Sequence, residues 1–254
     1  AVIFGSWKDR SDTHHRVKNE IVNKAKNFIV LETPLIGRGP VHNVMPDVWY
    51  RVGLNGFLND TGNFNNKHKT WDRWDLIRKN LGIELKAYND SNKDAPIIVA
   101  LQLPGDASLR GASIEDWAVH TVQAIRTQSD RKIIVRTPQL ERQYKESLMR
   151  VKDFPNVEFQ TGTKDNLIPT LESAHCAVTY SSGLAVDALI NGCPVVACSP
   201  SSFAYDICPN TVDMIDRIKK PNRDQWLFNL SYAQWHESEI ERGLPWRHLK
   251  QLIS

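Results

Sequence analysis

Two groups of residues in this chain have the types and spacing to do chemistry. One group could hold an oxyanion and the other could move a proton. The first centres on Ser181-Ser182-Gly183, between an apolar, β-rich run (Cys176–Tyr180) and a stretch that is apolar nearly all round (Leu184–Ile190). A run apolar on every side reads as a helix buried on both sides. Asn191-Gly192 stops it, and Pro194–Cys198 is the next strand. Such a strand, small-residue turn, helix and strand present backbone N–H groups above the strand ends, and serine and glycine let a phosphate come close. The same serines would serve equally well as an ordinary helix cap. Arg136 ends another strand just before Thr137-Pro138. Its guanidinium could fork onto phosphate or sit in a surface salt bridge. Gly105, Asp106 and Ser108 lie in a loop after an earlier strand, where Gly105 either admits a ligand or makes a simple turn. Asp187, one helical turn past the serines, could reach a ribose hydroxyl or face solvent.

The second group lies near the start. Asp9, Asp12 and His14 belong to the polar loop that leaves the first strand, and Glu32 ends the second strand. Any of them could take a proton from an acceptor hydroxyl, and each could instead be a cap or a surface residue. Asp60 is a weaker candidate of the same kind. Neither G-x-G-x-x-G nor G-x-x-x-x-G-K-[ST] occurs, which disfavours dinucleotide and P-loop chemistry, and the absence of G-x-S-x-G argues against an α/β-hydrolase. His14-His15 has no third ligand at a matching spacing, and adjacent side chains diverge, so no metal site is expected.

Composition bounds the rest. The chain has 254 residues, 41% hydrophobic and 24% charged, which is ordinary for a soluble domain or two. No apolar run approaches the roughly 18–20 residues that span a bilayer. A net charge of +3 permits an acidic partner without requiring one. Cys176, Cys193, Cys198 and Cys208 show no CxxC spacing, so reduced, structural thiols and a cytoplasmic location are expected.

These residues need strands and helices to position them. Ala1–Gly5 reads as a strand, Val17, Ile21, Val22 and Ala25 recur at helical spacing, and Phe28–Leu31 is a second strand. Residues 34–70 read as irregular and loop-rich, Trp71–Leu81 as a short helix, and Glu84–Asp94 as a linker. From Pro96 the pattern alternates strand and helix, with a helix predicted over Arg142–Val151. The expected fold is α/β with two Rossmann-like halves, residues 1–92 and 93–254, and aromatic-rich C-terminal helices packing back. The ligand would lie beyond the carboxyl ends of the strands, in a cleft between the halves.

The strand-SSG-helix-NGxPV unit, the strand-end arginine and the two halves together resemble the GT-B glycosyltransferases, and more closely the capsule-polysaccharide or Kdo-transferase type and small phage-encoded members. The segment GLAVDALINGCPVV is similar to that family's GlEAllxGxPV. Phe4-Gly5-Ser6-Trp7 resembles its strand with GW, and Val30-Leu31-Glu32-Thr33 its LEDG. Thr33 stands where the family has Asp, and Arg136-Thr137-Pro138 lacks the His of R-x-H-P.

The resemblance implies a metal-independent transferase with no cofactor beyond a nucleotide-sugar donor such as a UDP-sugar. The donor diphosphate would sit on Ser181, Ser182 and Gly183 near Arg136. The acceptor would enter over the first half, as a surface glycan or, as in phage DNA modification, a hydroxymethylated DNA base. In the phage case the location would be the host cytoplasm. The loop Asn63–Trp74, with its lysines and tryptophans, would suit DNA phosphates and a stacked base, or would be a solvated loop with Trp71 and Trp74 in the core. A sugar-nucleotide epimerase and a non-catalytic nucleotide- or DNA-binding module are the other two readings.

Overall fold

The computed structural model describes residues 1–7, 13–37, 48–90, 92–138, 144 and 146–253, without the side chains of His14 and Lys164. In chain order the elements are β1 (Val2–Phe4), α1 (Thr13–Lys24), β2 (Ile29–Glu32), β3 (Trp49–Leu54), α2 (Asp72–Leu81), β4 (Ile97–Ala100), α3 (Ile114–Arg126), β5 (Ile133–Thr137), β6 (Val157–Thr161), α4 (Lys164–Ser173), β7 (Cys176–Thr179), α5 (Leu184–Ile190), β8 (Val195–Ala197), α6 (Asp224–Ser231), β9 (Gln234–His236), α7 (Glu237–Glu241) and α8 (Leu244–Leu249). The chain divides into two compact units, Ala1–Ile83 with Arg223–Ser254, and Glu84–Asn222.

The second unit is a parallel five-stranded sheet in the order β6-β5-β4-β7-β8. Central parallel strands are covered on both faces, so they read as unbroken apolar runs. β4, β7 and β8 are buried at every position. On one face α3 packs Ile114, Ala118, Val122 and Ile125 into a core with Val99, Val135 and Val178. The start of α3 is fixed by Ser113, whose Oγ accepts from Asp116 N at 3.2 Å. Its last-turn Arg126 donates to the carbonyls of Ser129, Arg131, Pro155 and Asn156.

The stretch expected as a linker is instead bonded to this unit. Lys86 N donates to Ile190 O and Asn89 N to Gly192 O, both at the end of α5. Gly192 has a φ of +81°, and a side chain there would run into the Ala87 carbonyl, so the position requires glycine. Over 142–151, residues 142, 143 and 145 lie outside the described ones, and Glu146–Asp153 is a 3-10 helix rather than an α-helix.

The first unit departs from the expected pair of Rossmann-like sheets. Its sheet is mixed, in the order β1-β2-β3-β9. β1 and β2 are parallel, joined through α1, whereas β2-β3 and β3-β9 are antiparallel. Two strands of this sheet were not expected. β3 lies in the region read as irregular, and β9 in the segment read as helical. The C-terminal elements cluster with this unit, not with residues 93–222. Gln234 explains part of that, because its Oε1 accepts from Leu35 N and Ile36 N while its Nε2 donates to Ile36 O. Arg73 of α2 explains more. Its buried guanidinium pairs with Glu239 at 2.9 Å, donates to the carbonyls of Ser231 and Gln234, and stacks 3.9 Å from the centre of the Trp235 ring.

Candidate functional site

In the second unit the chain runs outward from β4 through β5 to β6, then returns to the other side of β4 for β7 and β8. The strand order therefore reverses between β4 and β7, and a ligand of such a sheet lies beyond the carboxyl ends of those two strands. A closed polar network occupies that position. Ser108 donates its hydroxyl proton to Asp106 Oδ1 at 2.7 Å, since a carboxylate can only accept. Its oxygen then accepts from Gln102 Nε2 at 2.7 Å and from the Ser181 hydroxyl at 2.9 Å. Gln102 Oε1 accepts from Ser181 N at 3.0 Å.

Asp106, Ser108 and Ser181 are thus brought together by hydrogen bonds. Gln102, which joins them, was not singled out in the sequence. A glutamine inside the otherwise apolar run IIVALQL was the available signal.

This bonding changes what Ser181 can offer. Its N–H and hydroxyl face inward, and Ser182 Oγ accepts from Leu184 N at 3.3 Å. Among the described residues the backbone N–H groups of Ser182 and Gly183 have no acceptor, so they are the donors this turn leaves for a ligand. Asp187 is half-buried on α5, and its carbonyl takes Asn191 Nδ2 at 2.9 Å. Gly105 sits in open space with a φ of +69°, so the turn geometry, not a close approach by other protein atoms, calls for glycine there.

Arg136 does not join that network. It pairs in register with Ala100, the last residue of β4, and its side chain turns toward β6. Nη1 donates to Gln160 Oε1 at 2.8 Å and Nη2 to the Thr163 carbonyl at 2.9 Å. Gly162 makes room, because a Cβ there would lie 3.3 Å from the guanidinium carbon. The residue is only 6% exposed, and burial lowers its pKa with no carboxylate among the described residues to offset it. A guanidinium has five N–H donors, so three remain without an acceptor among the described residues. A buried, uncompensated cation with spare donors is suited to a phosphate.

In the first unit, Glu32 lies at the carboxyl end of β2, half-buried, and its Oε1 accepts from Thr33 N at 2.8 Å. Lys18 of α1 lies beside the same strand ends and was not noticed in the sequence. Its Nζ donates to the Ser6 carbonyl at 3.0 Å, and the charge of Glu32 acts on it. Asp9, Asp12 and the side chain of His14 lie outside the described residues. Asp60 is exposed in a turn after β3. In the loop over residues 63–74, Trp74 is buried but Trp71 is 60% exposed, so only one of the two tryptophans expected in the core is there. Among the described residues no group of three His, Cys, Asp or Glu could hold a metal ion, and no helix is long and apolar enough to cross a membrane.

No protein-family model matches the chain, and no curated protein matches its sequence. Solved structures do match its fold. The chain is similar to the Thermosulfurimonas dismutans KpsC beta Kdo 2,4 transferase, with a TM-score of 0.59 and 14% identity over 95% of this chain and 86% of the other. It is also similar to the KpsC beta Kdo 2,7 transferase of the same organism, with a TM-score of 0.52 and 16% identity over 100% of this chain and 85% of the other. The resemblance to Kdo transferases carried by a few motifs in the sequence is thus matched by a likeness of fold over nearly the whole chain.

Proposed function

We propose that the protein is a glycosyltransferase that moves a sugar from a nucleotide-sugar donor to an acceptor hydroxyl. The likeness of fold to two Kdo transferases across at least 95% of the chain carries this reading. The second unit supports the donor side of it. The Ser182 and Gly183 N–H groups and the spare donors of Arg136 are suited to the charge that develops on a leaving nucleotide phosphate, and fixed donors aimed at developing charge are a main source of catalysis. The chemistry is proposed to run on these protein donors without a metal. In the first unit Glu32 is the described carboxylate best placed by its strand to take a proton from the acceptor.

A donor screen by thermal shift tests the reading, because a ligand that binds only the native state must raise its stability. At least one sugar nucleotide should raise the melting temperature, with EDTA making no difference. Product mass on candidate acceptors then completes the test. If no sugar nucleotide shifts the transition, the reading fails.

The acceptor is proposed to be a glycan. A hydroxymethylated DNA base is a second reading, favoured by exposed Trp71 beside exposed Lys67 and His68. DNA binding would weaken steeply with salt as counterions are released. Salt-independent acceptor binding would exclude it.

A further inference from the structure

Lys18 is the most deeply buried of the described side chains of α1, at 8% exposure, while Val17 beside it is 49% exposed. Residues 18, 21, 22 and 25 stand at i, i+3, i+4 and i+7, so the lysine begins the inward stripe that Ile21, Val22 and Ala25 continue. A lysine is almost never buried without a partner, because the ammonium loses its hydration. Here that burial lowers its pKa, opposed by the charge of Glu32.

The protein supplies little in return. The ammonium has three N–H donors and one hydrogen bond, to the Ser6 carbonyl at 3.0 Å. Among the described residues no ion pair within 4.0 Å joins it to Glu32 or to any other carboxylate. Gly5, with a φ of +74°, brings no side chain to the amine, and a Cβ there would lie 3.4 Å from Nζ. Gly5, Ser6 and Glu32 beside it are all only partly buried, so the amine lies close below the surface at the ends of β1 and β2. A tether to one carbonyl needs no charge, and a neutral amide would make it without the desolvation cost.

We infer that Lys18 is the centre of a binding site for an oxyanion, a carboxylate or phosphate group of a small ligand, at the carboxyl ends of β1 and β2. The site is built from residues of the first unit alone. As part of a transferase, a step that rests on the function proposed above, it would select an acceptor carrying that oxyanion.

The test uses the full chain labelled with 13C at lysine Cε, with the Lys18 signal identified by its loss in Lys18→Arg. Sodium phosphate, sodium acetate and sodium chloride are titrated at matched ionic strength. A saturable movement of the Lys18 signal with phosphate, with acetate or with both, and none with chloride, supports the site. Phosphate alone marks a phosphate ligand and acetate alone a carboxylate. A signal that stays still, or follows ionic strength equally in all three salts, overturns it. A Lys18→Gln variant gives a second readout. It keeps a donor for Ser6 but should bind the effective anion roughly tenfold more weakly or worse, as expected for losing a charge-assisted hydrogen bond. Unchanged anion binding in that variant also overturns the site. The sugar-nucleotide thermal shift does not depend on Lys18, so its outcome is read separately.

Discussion

Arg136→Met separates a ligand-binding arginine from a structural one. Taking a guanidinium out of water costs several kcal/mol even after the protein relaxes. The two hydrogen bonds to Gln160 and Thr163 return roughly 1.5–3 kcal/mol each, because the donor is charged. The substitution removes both sides of that near-balance and leaves the Thr163 carbonyl short of a partner, a loss of about 1 kcal/mol. Gln160 Oε1 keeps its bond from Thr170 at 3.2 Å. The ligand-free variant should therefore unfold in urea within about 1 kcal/mol of the parent. Binding of the sugar nucleotide should suffer far more. Removing one member of a buried charge pair costs about 3 kcal/mol, so calorimetry should show affinity falling on the order of 100-fold. The opposite pattern, a stability loss above roughly 3 kcal/mol with affinity unchanged, would show that Arg136 is a strut between β5, β6 and α4.

Three further outcomes are expected. Gln102→Leu should cost about 1–3 kcal/mol in urea unfolding, because Ser181 N loses its acceptor; Ser181→Ala, which removes only a hydroxyl, should cost less, and the reverse order would contradict the network. Burial of Glu239 opposes its charged form, but the hydrogen bonds from Arg73 outweigh that and hold its pKa below the ordinary 4.5. Its contribution is therefore complete above that value and is lost as pH falls through the lowered one, so the gap between parent and Glu239→Gln, about 3 kcal/mol at neutral pH, should close under acid; a gap constant with pH would refute the pairing. Burial pushes the thiols of Cys193 and Cys208 up to about 12, Cys198 to about 11, and Cys176 well above its ordinary value. An aromatic disulfide reagent at mildly alkaline pH should find almost no reactive thiol until denaturant is added.

What could be read from the sequence was what short-range pattern encodes. The turn at Ser181–Gly183 is bounded by β7, α5 and β8 as expected, because buried parallel strands and a helix covered on both sides leave unbroken apolar runs. β3 was hidden because its WYRVGL follows a proline-rich stretch and precedes an asparagine- and glycine-rich one, and turn formers on both sides masked the strand. β9 is three residues long, and its place beside β3 rests on pairings such as Arg51 with Gln234, between segments far apart in the chain, which no local pattern contains. Trp71 and Trp74 show the same limit. Three residues apart on or beside one helix, one is buried and the other is exposed.

The burial of Lys18 is hidden from local pattern. Polar residues within an apolar stripe are usually discounted, and Val17 fits the stripe by type while Lys18 fits it by position. Position prevailed, and the helix buried a charge. Arg136 repeats the pattern in the second unit, in a strand that is otherwise apolar until its end. Each unit thus holds one cation that is more than nine-tenths buried, stands at the carboxyl ends of its strands, has no ion-pair partner among the described residues, and keeps N–H donors to spare. A fold selected for stability alone would have replaced both with apolar residues of similar volume, which is often neutral or stabilising. A bound anion would use the N–H donors that each cation leaves spare, and stability given up for a functional site is a known trade-off. The two cations therefore extend the proposed binding of a charged ligand from the second unit to both units.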